Sequence, residues 1–391
     1  MHKATHRPHC SRRGFLRLGA TLAAGIPLSG LTNAFGQAAA LSPSTRSKAT
    51  VAIVPCKTYG PGVKTALAQC FDLVGGVGKL VANKTVTVKI NLTGTDFTPW
   101  LDRPVGETYM THSSTVSALL ALLFDAGASR VRLVESNQSQ DDLKTTLGVA
   151  GWDVNAISAQ GKVEYENTRN LGLGKSYSTL RVPFGGYMFS SLNLNHSYHD
   201  TDVMISLAKL KRHITAGVTL SMKNMFGLTP NALYGAEAGS EKAIKGRDPL
   251  HSADGFEKLK LPGLKPDARF SDPFTRVPHI IVDINAARPI DLAIIDGITA
   301  MTGGEGPWCA QAAVIKVTTP GVLIAGLNPV STDAVATAVM GYEPRSPRGT
   351  KPFEYCDNHL LLAEQAGLGS ADLAQIDVRG MTIQSARYNY D

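Results

Sequence analysis

A strand–helix–strand unit is written in three runs of the sequence: TVTVKI at residues 85–90, STVSALLALLFD at 114–125 and RVRLV at 130–134. The outer runs are rich in β-branched residues, which favour strands. In the middle run, apolar residues recur at i, i+3, i+4 and i+7 from Val116 to Leu123. This spacing is typical of one face of an amphipathic helix. Two strands joined by a helix pair in parallel, so the runs predict a parallel sheet.

The same alternation continues along the rest of the chain. Further strands are predicted at residues 50–54, 201–207, 291–295, 321–326 and 375–378, and further helices at 63–73, 141–149, 217–226, 328–340 and 359–366. Strands that alternate with helices predict an α/β fold, with a largely parallel sheet and helices on both faces.

Two segments interrupt this pattern, at residues 93–111 and 229–277. Both are rich in glycine, proline and charge. The second is too long for a passive connector in a compact domain. We therefore expect residues 41–391 to form one α/β domain with an insertion at about 229–277. A lid, a small subdomain and an oligomer contact all remain open as its role.

The first forty residues resemble a twin-arginine signal peptide, a resemblance carried by Ser11-Arg12-Arg13-Gly14-Phe15-Leu16. An apolar run begins at Leu18, small residues follow it, and the run is too short to span a bilayer. The resemblance implies that the twin-arginine translocase exports the folded chain and that residues 1–40 are then removed. The mature protein would be periplasmic or secreted, without a stable membrane insertion.

Composition excludes several classes of protein. The chain carries 39 basic and 32 acidic side chains, and five of the basic ones precede residue 41. The nearly balanced remainder has no electrostatic footprint for nucleic acid. The four cysteines of the mature chain form no C-x-x-C pair, so no iron–sulfur cluster is expected, while disulfides and free thiols remain open. These cysteines are Cys56, Cys70, Cys309 and Cys356.

Polar residues collect where the predicted strands end. One strand exits through Lys89 and Asn91, and the strand at 201–207 exits into Lys209 and Lys211. The pair Lys223-Asn224 lies in an otherwise apolar segment, where an apolar residue would pack better. Because ligands of open α/β sheets bind beyond the carboxyl ends of the strands, we expect these side chains to hold a small anion such as a phosphate or carboxylate.

Three further residues are candidates for chemistry. His213 could transfer a proton or bind a transition metal. Glu305 lies among glycines, which let a backbone approach a ligand closely, and Asp333 lies near the start of an apolar helix. We expect both carboxylates at the same edge of the sheet as catalytic groups, with an ordinary turn and a favourable helix-dipole position as the structural alternatives.

The sequence resembles the uncharacterised family known as domain of unknown function 362. The resemblance is carried by Lys209-Leu-Lys211-x-His213-x-Thr-Ala-Gly217 with Lys223-Asn224, by Asp296-Gly297 to Gly306-Pro307, and by Asn328-Pro329 to Asp333. Many members carry a ferredoxin-like cysteine cluster, from which this chain departs. The His213 segment is also similar to the part of nickel-pincer lactate racemases that supplies a metal-binding histidine. That similarity implies His213 as a metal ligand, although no counterpart of the cofactor-bearing lysine is present.

These observations favour an exported enzyme that binds a small anionic ligand and works by redox or isomerisation chemistry. No activated nucleophile is visible, so a serine hydrolase is not expected. The identity of any cofactor is left open, with a transition metal or a metal-organic group as candidates. The alternative is a non-catalytic periplasmic protein that binds an anion or a metal.

Overall fold

The computed structural model describes residues 48–251, 255–268, 270–309 and 314–391. The predicted signal peptide, with Arg12 and Arg13, lies outside the described residues. The strands are β1 (Ala49–Pro55), β2 (Thr85–Lys89), β3 (Arg130–Glu135), β4 (Val163–Asn167), β5 (Ser178–Arg181), β6 (Ser191–Leu194), β7 (Val203–Lys209), β8 (Lys211–His213), β9 (Gly217–Thr219), β10 (Leu292–Gly297), β11 (Ala300–Thr302), β12 (Lys316–Thr318), β13 (Val322–Gly326) and β14 (Ile376–Gly380).

Eight of these strands form one sheet in the order β14-β1-β13-β10-β7-β2-β3-β4. All neighbours pair in parallel except at β13, which is antiparallel to both β1 and β10. The predicted α/β class with a largely parallel sheet is therefore confirmed. Three two-stranded ribbons, β5–β6, β8–β9 and β11–β12, complete the strands of the described residues.

Helices cover both faces of the sheet. They are α1 (Gly62–Leu73), α2 (Gly78–Val81), α3 (Ser113–Asp125), α4 (Leu143–Val149), α5 (Val154–Ser158), α6 (Ser221–Asn224), α7 (Asn231–Tyr234), α8 (Asp248–His251), α9 (Pro273–Ala287), α10 (Pro329–Val339), α11 (His359–Gln365) and α12 (Ile383–Ala386). Alternate residues of β7 divide between two apolar cores, since Val203, Ile205 and Leu207 pack with α1 and α3 and Met204 packs with α9 and α10. This alternation is what a strand buried on both faces requires.

One predicted helix differs from the structure, and one long helix of the structure was not predicted. Residues 217–226 do not form one helix, because Gly217 has a φ of 74° and begins β9, which pairs back onto β8. Only Ser221–Asn224 is α-helical before a 3-10 turn, Met225–Leu228. Helix α9 was not predicted, since Pro278 interrupts its pattern and its start falls inside the expected insertion. In the structure Asp272 caps that helix, with Pro273 in its first turn.

The direction of β13 corrects the predicted placement of Asp333. Since β13 pairs antiparallel with β10, Gly326 lies opposite Ala293, at the start of β10, and Asn328 leaves the sheet at the amino edge. The prediction had placed this strand end beside those of the parallel strands. Asn328 caps the helix that follows, α10, by accepting a hydrogen bond from the backbone of Ser331 at 3.0 Å.

Tyr390 is buried, with only 1% of its surface exposed. Its hydroxyl donates to the carbonyl oxygen of Leu210 at 2.7 Å, and its own carbonyl accepts from Thr302 at 2.6 Å. Tyr390 therefore holds the backbone between β7 and β8 in place through its hydrogen bond to Leu210.

Among the helices of the described residues, none combines the length and the apolar character needed to cross a bilayer.

Candidate functional site

Lys211 and His213 come from the short strand β8 and lie on the same face of it, because side chains alternate along a strand. Arg212, between them, points the other way and pairs with Glu354 at 2.7 Å. The ammonium of Lys211 donates to the carbonyl oxygens of Tyr109 and Glu305 at 2.7 and 2.8 Å. Burial lowers the pKa of Lys211 to about 7, and the Glu305 carboxylate opposes that shift.

Lys223 lies on α6 and is 8% exposed. Its ammonium nitrogen lies 4.4 Å from the centre of the Phe226 ring and 3.5 Å from Nε2 of His251. Among the described residues, no carboxylate oxygen lies within 4.0 Å of the ammonium of Lys223 or of Lys211. Burial lowers the pKa of Lys223 to about 7, with the Glu305 carboxylate working in the opposite direction.

Two imidazoles adjoin these amines. The rings of His213 and His251 stack with their centres 6.2 Å apart. Burial lowers the pKa of His213 well below its ordinary value, and the charges of Lys223 and Lys211 lower it further. Burial also lowers the pKa of His251 well below its ordinary value, and the charge of Lys223 lowers it further. Both imidazoles are therefore neutral near pH 7.

Glu305 closes one side of this group. Its carboxylate accepts hydrogen bonds from the backbone of Ile214 at 3.1 Å and from the indole of Trp308 at 3.3 Å. The glycines around it have a structural explanation, since a Cβ on Gly304 would lie 2.4 Å from that of Cys309. We call Lys211, His213, Lys223, His251 and Glu305 the lysine–histidine cluster.

Three other residues that were predicted to contact the ligand lie next to the cluster and support it. Lys89 pairs with Glu135 at 2.6 Å, and Asn91 donates to Oδ1 of Asn224 at 3.1 Å. Burial lowers the pKa of Lys89, and Glu135 opposes the change. Gly227 passes so close that a Cβ there would lie 2.9 Å from the Lys89 side chain. Lys89, Asn91 and Asn224 therefore hold the backbone of the α6 segment against the sheet.

Lys209 belongs to a separate network on the other face of β7. Its ammonium donates to the hydroxyl of Tyr59 at 2.6 Å and pairs with Asp296 at 3.4 Å. His112 stacks on Tyr59 with ring centres 3.6 Å apart. The ammonium of Lys209 is therefore paired with groups of the protein itself. This arrangement differs from its predicted role as a ligand contact.

Asp333 lies behind α6 and is completely buried. Its two oxygens accept from the backbone of Ser221 and Met222, each at 2.9 Å, and from the Ser221 hydroxyl at 2.5 Å. Burial raises the pKa of Asp333 to about 7, and these donors oppose the rise. Asp333 thus positions the helix that carries Lys223, whereas the sequence predicted a carboxylate facing a ligand.

The predicted insertion supplies a part of the site that sequence reasoning missed. His251 is the last residue of α8, inside the 229–277 segment, and Arg247 precedes that helix. The guanidinium of Arg247 donates to the carbonyl oxygens of Thr229 and Gly227 at 2.6 and 3.1 Å, which ties the start of the insertion to its middle. The only feature of the sequence that could have indicated a role for the 229–277 segment in the site was its length.

His359 was also missed. It lies at the start of α11, is completely buried, and neither ring nitrogen has a hydrogen-bond partner of good geometry among the described residues. Burial lowers the pKa of His359 to about 3, the charge of Lys223 adds to this, and a weak interaction with the backbone of Ala216 opposes it. This third neutral imidazole therefore lies near the cluster.

The residues that the structure describes contain no group of three histidine, cysteine or carboxylate side chains arranged to hold a metal ion. The predicted metal ligand His213 has Nδ1 3.2 Å from the backbone nitrogen of Thr215, which donates to it. His196 and His199 pair instead with Asp200, and His196 also with Glu166.

Residues 86–338 match the sequence profile of a family described as domain of unknown function, DUF362. The chain belongs to the DUF362 family. The match contains Lys211, His213, Lys223, His251 and Glu305, so the whole lysine–histidine cluster of this DUF362 protein lies within the family segment.

Two other proteins are similar to the DUF362 chain. It is 26% identical over 309 residues to a thylakoid-associated protein of Synechocystis sp., with 75% of each chain covered. It is also similar to a protein of known crystal structure from Thermotoga maritima, at 12% identity and a TM-score of 0.34. That alignment covers 79% of this chain and 60% of the other, so the chain spans less than two thirds of that protein.

Proposed function

We propose that this DUF362 protein is an exported enzyme that binds a small anion at the lysine–histidine cluster and moves a proton to or from it, as an isomerase does. The observation that carries the proposal is the pair of buried amines, Lys211 and Lys223, without a carboxylate partner among the described residues. A buried cation is costly unless it is paired. A bound carboxylate or phosphate would offset that cost.

Proton transfer is the chemistry that these groups support best. A general acid or base works most efficiently when its pKa lies near the operating pH. Lys223, with a pKa of about 7, lies beside the neutral imidazole of His251. Amine and imidazole can therefore exchange a proton with each other and with an anion held by Lys211.

Anion binding is tested by thermal unfolding of the wild type and of Lys223→Met in increasing inorganic phosphate and oxalate. We expect both anions to stabilise the wild type, and the apparent Kd to rise at least about tenfold in the variant, because one cationic contact is lost. Lys64→Met is the matched control, since Lys64 is exposed and pairs with Asp125 at the surface. Equal stabilisation of all three proteins would contradict the proposal.

Catalysis is tested by incubating the protein with small carboxylic acids in deuterated water and following the loss of C–H signals by NMR. Exchange that disappears in Lys223→Met supports an isomerase-type enzyme. Anion binding without exchange would favour a non-catalytic binding protein. A redox enzyme would instead retain a transition metal or an organic cofactor after purification from its own host, which metal analysis and mass spectrometry detect.

Export by the twin-arginine translocase is part of the same proposal and rests on the run from Ser11 to Leu16. The double substitution Arg12→Lys and Arg13→Lys should keep the chain in the cytoplasm at its full length. The wild type should lose the segment that ends between residues 36 and 40 and collect in the periplasm or medium. Identical fractionation of the two forms would show that the arginine pair is not an export signal.

A further inference from the structure

The amine of Lys223 is placed as a nucleophile would be. The side chain is 8% exposed, and the nitrogen lies over the Phe226 ring and 3.5 Å from Nε2 of His251. Most lysines are held as ammonium ions by water or by a carboxylate. Lys223 is instead buried, and among the described residues no carboxylate oxygen lies within 4.0 Å of its nitrogen, so the unprotonated amine is populated near pH 7.

We propose that Lys223 forms an imine with the carbonyl carbon of its substrate and that this substrate is a 2-oxo acid. The inference rests on the proposed function, since it assigns the class of anion that the cluster takes. A 2-oxo acid carries a carboxylate for an ammonium group and a carbonyl carbon for an amine. Lys211 and Lys223 supply these two partners.

Lys211 is suited to the carboxylate. An ammonium group has three N–H donors. Two of those of Lys211 are directed to the carbonyl oxygens of Tyr109 and Glu305, which fixes the nitrogen in place. The third remains for a ligand. Among the described residues, no neutralising carboxylate lies within 4.0 Å of the Lys211 charge.

The covalent step balances without an oxidant or reductant. The lone pair of the Lys223 nitrogen attacks the carbonyl carbon, a C–N bond forms, and the π electrons move to oxygen. His251 accepts a proton from nitrogen and returns one to that oxygen, giving a carbinolamine. Loss of the hydroxyl with a proton, as water, then leaves the C=N bond. A protonated imine acidifies the neighbouring C–H, which is the proton that an isomerase must move.

The test uses pyruvate as the probe, with sodium cyanoborohydride to trap the imine, followed by mass spectrometry of the intact protein and its peptides. We expect one adduct to form rapidly on Lys223. Lys223→Arg should remove it, while the exposed Lys64 provides the background rate within each sample. Modification of Lys223 no faster than that of Lys64 would overturn the proposal.

Two further measurements separate the roles of the residues. In Lys211→Met the adduct with pyruvate should form at least about tenfold more slowly, whereas the adduct with acetaldehyde, which has no carboxylate, should form at an unchanged rate. His251→Ala should slow both. An equal effect of Lys211→Met on the two probes would contradict the assignment of the carboxylate contact.

Oxalate separates anion binding from imine formation, because it is an anion that does not form an imine. Stabilisation by oxalate without any adduct on Lys223 would overturn the imine and leave the proposed anion site standing. Absence of both would overturn both.

Discussion

At the scale of single residues, Lys223 couples stability to pH. Its folded pKa of about 7 lies below the ordinary 10.5, and the groups that act on its charge are Glu305, Lys211, Arg247 and Lys89. Between these two pKa values the unfolded chain binds more protons than the folded one. The free energy of unfolding contributed by Lys223 therefore rises as the pH increases from about 7 to about 10.

Replacing Lys223 with methionine should remove that contribution. We expect Lys223→Met to be more stable than the wild type at pH 7 by about 1–3 kcal/mol, since a buried amine gives way to an apolar chain of similar size. The gain should shrink towards pH 10. Urea denaturation at the two pH values measures it, and a variant that is less stable than the wild type at pH 7 would show that the buried amine stabilises the folded protein.

Strand ends allowed several of these residues to be predicted, but not their partners. Lys89 and Lys211 could be placed because a lysine at or just beyond the end of an apolar strand lies at the edge of the sheet. The different roles of these two lysines could not be predicted, because they depend on contacts with distant residues. Lys89 supports the site because it pairs with Glu135, whereas Lys211 belongs to the cluster and donates to the carbonyl oxygen of Tyr109. His251 is distant in sequence, and no local pattern indicates the surface on which its loop folds.

At the scale of elements, Asp333 links α10 to the start of α6. Burial raises its folded pKa to about 7 from 3.8, so the folded protein binds this proton more tightly than the unfolded chain. The stability due to Asp333 is complete below about pH 4 and is lost as the pH rises through about 7. We expect the wild type to lose about 2 kcal/mol more than Asp333→Asn between pH 5 and pH 8. Parallel pH profiles for the two proteins would contradict this assignment.

Arg276 of α9 ties separate parts of the 229–277 segment to one another. It is fully buried and donates to the backbone carbonyls of Leu250, His251, Phe270 and Ser271. Arg276→Met should lower the free energy of unfolding by about 3 kcal/mol, because these carbonyls lose their donor. It should also weaken stabilisation by oxalate, since His251 would shift.

The matched control for Arg276 is Arg379→Met. Arg379 is half-exposed and pairs with Asp377 at 2.8 Å. Its loss should change stability by no more than about 0.5 kcal/mol and leave oxalate binding as it was. Similar effects of the two substitutions would show that Arg276 has no special part in holding the insertion.

The helices and strands show which local signals suffice. Helix α10 was predicted to within a residue because Asn328 and Pro329 are strong start signals. Helix α9 was missed because Pro278 lies inside it. The reversed direction of β13 could not be predicted either, since a short apolar strand carries no mark of its direction. That single reversal moved Asp333 from the expected ligand edge to the support of α6.

At the scale of the whole molecule, the four cysteines of the described chain are free and buried. Burial raises the pKa of Cys70 and of Cys356 to about 12, and it also raises those of Cys56 and Cys309. Buried, protonated thiols react slowly. Stability therefore rests on the two apolar cores and the sheet, without a covalent crosslink among these residues.

A thiol reagent tests this at the level of the folded protein. In protein that lacks Cys10, a residue of the predicted signal peptide, no thiol should react in buffer within minutes, and the four described thiols should react after denaturation. A reductant should leave the Tm unchanged. A fall in Tm of more than about 5 °C on reduction would reveal a disulfide, which typically contributes a few kcal/mol.

Tyr390 has a practical consequence for the way the protein is handled. Its hydroxyl donates to the carbonyl oxygen of Leu210, the residue immediately before Lys211, so the segment around Tyr390 supports one wall of the cluster. An affinity tag inserted next to Tyr390 would disturb this contact. Purification handles are therefore better grafted into an exposed surface turn distant from the hairpin.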